Sequence, residues 1–147
     1  MKYFFLILLA IFIIIQFFRI DRSVPEYKKA NDFIAIEEPP EAVAHILVKA
    51  CYDCHSNQTV YPWYSEIAPV SWWVAGHIER GREHLNYSTW GEQPLKRKKH
   101  KLEDMIEEVE EGEMPLPSYT LAHWKASLTA EEKTALINWL RKVNFDL

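Results

Sequence analysis

Five consecutive residues, Cys51-Tyr52-Asp53-Cys54-His55, constrain this chain of 147 residues more than any other part of it. They form a CxxCH sequence, the attachment signal for c-type haem. The spacing places two thiols where they can add to the two vinyl groups of the porphyrin. The adjacent imidazole then reaches the iron from the same side. A redox dithiol would expect a neighbouring βαβ pattern, and a structural zinc site would need further ligands at finger-like spacing. The sequence shows neither. The motif therefore points to one haem c per chain, held covalently by Cys51 and Cys54, with His55 on the iron.

The beginning of the chain has a different character. Residues Tyr3 to Phe18 are apolar except for Gln16, with Lys2 before them and Arg19, Asp21 and Arg22 after them. Five of the seven Phe fall in this stretch, whereas all six Trp lie beyond it. The segment predicts an N-terminal transmembrane helix over residues 1–20, although at helical rise it covers only about 24 Å of a ~30 Å hydrocarbon core. No small residues follow it to make a cleavage site, so an uncleaved signal-anchor is favoured over a signal peptide. The basic residues on either side do not settle orientation. Covalent haem attachment in bacteria takes place outside the cytoplasmic membrane, which puts the haem domain on the periplasmic side of the inner membrane.

Residues 21–38 mix charges and prolines with few periodic apolar positions and read as a tether with little regular structure. The domain proper, residues 39–147, reads as all-α. Pro39 and Pro40 open a helix with Val43, Ile46, Leu47 and Ala50 on one face, which leads into Cys51. An aromatic, proline-punctuated loop from His55 to Pro69 precedes a second helix ending near Leu85. A third carries Leu102, Met105, Ile106 and Val109 and stops at Gly112. Its start is expected near Leu102, because a helix including Lys96–Lys101 would set basic residues at its N-terminus and acidic ones at its C-terminus, both against the macrodipole. The last helix has a capping box in Thr129 and Glu132 and a stripe of Leu136, Ile137, Trp139, Leu140 and Val143.

Met114 follows the helix-ending Gly112 and precedes Pro115 and Pro117, in a stiffened loop suited to a distal iron ligand. Met105 lies on the Leu102/Ile106/Val109 stripe and reads as core. His77, His84, His100 and His123 compete for the sixth position, with His77 foremost. Trp63, Trp72, Trp73 and Trp139 are candidates to wall a haem, or simply core.

From Pro39 to Leu147 the chain resembles the small bacterial haem-binding domain proteins, a monohaem group similar to class I cytochromes c. The stretches that carry the resemblance are Cys51-Tyr-Asp-Cys-His-Ser-Asn57, Tyr61-Pro-Trp-Tyr64, Ala68-Pro-Val-Ser-Trp72, Glu111-Gly-Glu-Met-Pro115 and Leu128-Thr-Ala-Glu-Glu132. The resemblance implies a cytochrome c-like helical fold, with first and last helices crossing and a Met opposite the proximal His. In class I cytochromes a Pro after the motif positions the carbonyl that receives the His Nδ1 hydrogen. Pro62 and Pro69 are candidates here, Pro69 the better placed by distance.

A formal net charge of −4 gives no positive field for phosphate backbones, so nucleic acid is not an expected partner. The leading expectation is a membrane-anchored, single-haem electron carrier with a redox protein as partner, and not an enzyme. A haem-based sensor with weak or absent Met ligation is the alternative. A peroxidase-like enzyme would need His77 or His123 as distal base. The acidic run Glu103–Glu113 reads as a solvated face, with a docking surface near Met114 as its functional alternative.

Overall fold

The computed structural model describes residues 1–147 and contains only helices and turns. In chain order the α-helices are α1 (Lys2–Ile15), α2 (Phe33–Glu37), α3 (Glu41–Ala50), α4 (Tyr52–His55), α5 (Val70–His84), α6 (Leu95–Glu111), α7 (Pro117–Ala122) and α8 (Ala130–Asp146). Short 3-10 turns at Lys29–Asn31, Trp63–Glu66, Tyr87–Glu92 and Trp124–Ala126 join them.

The core lies between α3, α6 and α8. Val43, Ile46 and Leu47 of α3 meet Leu102, Met105 and Val109 of α6 and Leu136, Ile137, Leu140 and Val143 of α8. Each stripe recurs at three- and four-residue intervals, so each helix buries one face. The capping box that starts α8 is present in both directions between Thr129 and Glu132. Glu132 also accepts a hydrogen bond from Lys49 Nζ at 2.7 Å, which ties the last helix to α3.

Three sequence expectations change. First, the segment expected to be a tether builds part of the core. Asp32 caps α2 by accepting from the Ile34 amide, and Phe33 is completely buried, packed against Tyr87, Trp90 and Trp139. One large aromatic filling a gap outweighed the polar composition around it.

Second, α6 begins at Leu95 and not near Leu102, so the basic run is helical. The charges oppose the macrodipole by about 0.3–1 kcal/mol each at most, and screening reduces that. The backbone hydrogen bonds of the added turns, beginning with the Arg97 and Lys98 amides on the Pro94 carbonyl, outweigh it at about 0.5–1.5 kcal/mol each. Local pairs relieve the rest: Lys101 meets Asp104 at 3.0 Å, and Lys98 lies 5.4 Å above the Trp90 ring. Gly112 ends the helix in the left-handed region at φ 82°, as its place in the sequence anticipated.

Third, the expected transmembrane helix is shorter than a span. No helix is long and apolar enough to cross a membrane. α1 has 14 residues, about 21 Å at helical rise. It stops at Gln16, whose side chain turns back to Phe12 O and pairs with the backbone of Ala68 in both directions. The single polar residue of the apolar run thereby fastens the helix to the domain.

Candidate functional site

Cys51 closes α3, and the next four residues form the single turn α4, so one change of helix direction exposes the motif to α5. Gly81 allows the approach. A Cβ there would lie 2.6 Å from the Cys54 carbonyl oxygen, closer than any real side chain comes. Glycine within a helix costs about 1 kcal/mol relative to alanine, and contact between α4 and α5 is what it permits.

That contact orients His55. Its Nδ1 lies 2.9 Å from the Gly81 carbonyl and 3.2 Å from that of Leu85, both acceptors, so Nδ1 carries the hydrogen and Nε2 is left with its lone pair. The carbonyls belong to the last turn of α5, and neither Pro62 nor Pro69 supplies the partner. Burial lowers the His55 pKa, holding the ring neutral, the form in which it ligates iron.

Both cysteines are free thiols. Burial pushes Cys51 up to about 12, opposed by a hydrogen bond with Tyr87. It pushes Cys54 to about 11, with the Asp53 charge adding to the effect. Neither is a thiolate in the folded chain at neutral pH, which is the opposite of a reactive redox dithiol. Nor does any group of three or more His, Cys, Asp or Glu side chains gather to hold a metal ion, as a zinc site would require.

The motif's other side chains fasten it in place. Tyr52 stacks on Tyr87, with ring centroids 4.9 Å apart, and donates to Asp32 at 2.9 Å. Asp53 accepts from Tyr119 at 2.7 Å and from the Val60 amide at 3.0 Å. Arg82 donates to the Ser56 carbonyl and to Thr59 Oγ1, both at 2.8 Å, locking the loop after His55 onto α5.

Next to Cys54 opens an apolar cavity of about 240 Å³. Val70, Trp73, Val74, His77 and Ile78 line it from α5, Leu116, Tyr119 and Ala122 from the α7 region, and Val60, Pro62 and Tyr64 from the loop between. Trp73 is the one expected wall tryptophan that reaches it. Trp63 points largely to solvent, Trp72 bonds through its indole to the Phe18 carbonyl, and Trp139 packs on Phe33.

A match to the haem-binding domain family covers residues 10–142, nearly the whole chain. The chain belongs to the haem-binding domain family. No curated protein and no solved structure matches it. Haem binding is thus established at the level of the family, and the residues around the motif suit it: a neutral, oriented imidazole, two thiols and an apolar cavity beside them.

The remaining candidates lie apart. Met114 is half-buried against the core, its amide bonded to the Glu108 carbonyl, and is not among the residues lining the cavity. His77 does line the cavity, with Nδ1 2.8 Å from the Trp73 carbonyl. His123 contacts the Tyr64 hydroxyl at 3.3 Å and stacks on Tyr119. His84 and His100 are exposed, the latter beside Asp104.

Sequence reasoning missed Gly81 as the contact point and Tyr87 and Asp32 as supports. The first carries a readable signal, since a glycine in the middle of a helical pattern marks close approach. The other two depend on chain segments far from the motif.

Proposed function

We propose that this haem-binding domain protein carries one haem c covalently on Cys51 and Cys54, ligates its iron through His55, and serves as a membrane-held one-electron carrier on the periplasmic side of the inner membrane. The observation that carries the reading is the Nδ1 contact of His55 with Gly81, which aims a neutral imidazole and leaves Nε2 for the iron. Attachment needs only that each thiol add its S–H across one vinyl double bond, with no oxidant consumed. The bound haem supplies an iron that cycles between ferrous and ferric states. The protein's part is to hold His55, keep water away with Val74, Ile78 and Leu116, and limit motion through Arg82 and Tyr119.

Met114 is the proposed sixth ligand, in keeping with its stiffened loop between Gly112 and Pro115. A soft thioether favours the reduced state and raises the potential. A second reading has a specific observation behind it: His77, and not Met114, lines the cavity beside Cys54. In that case the iron is bis-imidazole or open to a small ligand, as a sensor would require.

Two measurements separate these readings. Haem that stays with the chain through denaturing electrophoresis, and is released when Cys51 and Cys54 are both replaced by Ala, establishes covalent attachment; haem lost from the wild type rejects it. With Met ligation, Met114→Ala removes the long-wavelength thioether-to-iron charge-transfer band, opens the iron to carbon monoxide and lowers the midpoint potential. An unchanged spectrum and potential in that variant, with loss of low-spin haem in His77→Ala, assigns the position to His77.

A further inference from the structure

Four of the six tryptophans are not part of the core. Trp63 and Trp124 are 76% and 74% exposed, and Trp72 and Trp73 are 41% and 47% exposed. Val60, Val70 and Leu121 stand exposed among them. They share one face, because Val60, Val70 and Trp73 rim the same cavity as Tyr119 and Ala122, and Tyr64, next to Trp63, contacts His123, next to Trp124. An exposed apolar patch rimmed by polar residues marks an interaction surface.

The foot of α1 is clamped to this face. Gln16 pairs with the Ala68 backbone, the Trp72 indole donates to the Phe18 carbonyl at 2.8 Å, and Arg22 pairs with Glu66. No residue of α1 is buried against the domain, and all but Ile15 at its foot are exposed, so nearly its whole apolar surface is unpartnered. Length then decides the geometry. A helix of about 21 Å falls short of a ~30 Å hydrocarbon core. Clamped as it is, α1 can bury fully only when the face at its foot comes down to the bilayer surface.

We propose that the face carrying Trp63, Trp72, Trp73 and Trp124 rests in the headgroup layer of a lipid bilayer, with α1 inserted beside it. The inference rests on the membrane reading above and adds the orientation of the haem domain. Indole, apolar in body and polar at one edge, is the side chain enriched at this depth. Lys125, 5.5 Å above the Trp124 ring, gives the rim positive charge for lipid phosphates, and Arg19 and Arg22 together exceed the single Glu66 carboxylate that both meet. The cavity beside Cys54 consequently opens toward the membrane surface, while the acidic end of α6 is tied to α8, where Glu110 meets Arg141 and Lys133.

The test uses full-length, haem-loaded protein in phosphatidylcholine/phosphatidylglycerol vesicles, kept in the oxidised form that tolerates oxygen, with each label's relaxation in the absence of reagent subtracted so that the iron's own contribution cancels. Single spin labels are introduced through Trp63→Cys, Trp124→Cys, Glu103→Cys and Ile13→Cys, the native cysteines being occupied by haem. Labels at 63 and 124 should be relaxed several-fold more by oxygen, relative to a water-soluble nickel chelate, than the label at 103. Nickel access at 63 and 124 equal to that at 103 overturns the orientation, if the label at 13 remains in lipid. Shielding of 63 and 124 from both reagents points to a protein partner or second copy and also overturns it. An aqueous label at 13 sinks the membrane reading and the orientation together.

Discussion

Trp90 is completely buried under Phe33, whereas Trp63 and Trp124 stand about three-quarters exposed on the face at the foot of α1. The same residue type serves two ends. Around Trp90 the chain satisfies itself: the indole donates to Glu37 at 2.6 Å, Lys98 covers the ring, and Phe33 of α2 packs edge-on against it. Around Trp63 and Trp124 most of the apolar surface stays uncovered, with only Tyr64 edge-on to Trp63 and Lys125 over Trp124. One region supplies stability, and the other is available for contact with something else. Mutations should therefore cost stability in the first and leave it nearly untouched in the second.

The largest effect is expected at Phe33. Phe33→Ala should lower unfolding free energy by roughly 3–5 kcal/mol, measured by denaturant titration of the haem-loaded protein, because no neighbouring segment can collapse into the space. A loss under about 1 kcal/mol would show that residues 32–37 are the tether their composition suggests.

Gly81→Ala comes next. Helix propensity alone favours alanine by about 1 kcal/mol, but the new Cβ would collide with the Cys54 carbonyl, and overpacking typically costs about 1–3 kcal/mol. The balance should be destabilising, with a changed haem spectrum as the Nδ1 contact of His55 shifts. A stabilised variant with unaltered spectrum would refute the close approach of α4 and α5.

Glu132→Gln should cost about 1 kcal/mol at neutral pH, through the capping box and the bond to Lys49. The Lys49 hydrogen bond, and then the Thr129 amide, hold the Glu132 carboxyl below its ordinary pKa. The unfolded chain therefore takes up the proton first as pH falls. The stabilisation is present above about pH 4.3 and is lost as pH drops toward the folded pKa. The difference between wild type and variant should shrink over that range, which acid titration of stability would show.

The smallest effect is expected on the tryptophan face. Trp63→Ser or Trp124→Ser should change stability by no more than about 0.5 kcal/mol while weakening association with vesicles. A loss comparable to that of Phe33→Ala would mean that this face is core, and the contrast between the two regions would fail.

Much of this was legible in the chain alone. Helical periodicity located α3, α5 and α8 to within a residue or two, because each buries one stripe and the stripe is written in the order of residues. The Cys51–His55 spacing pointed to haem, which the family match supports, from five local residues. Helix α6 starts earlier than expected because macrodipole terms are visible in sequence, while contacts that offset them, such as Lys98 over the Trp90 ring, depend on the fold.

What the sequence determined by itself was therefore whatever is encoded at short range: an all-helical chain, a CxxCH spacing that points to haem, an apolar leading segment and the capping of the last helix. The tertiary structure decided the rest. It chose Gly81 over Pro62 or Pro69 as the partner of His55, brought Phe33 into the core, set His77 instead of Met114 at the cavity and clamped Gln16 to Ala68. These join residues that lie far apart in the chain, from 23 positions for Cys54 and His77 to 106 for Phe33 and Trp139, and only the packing of whole helices determines which of them meet.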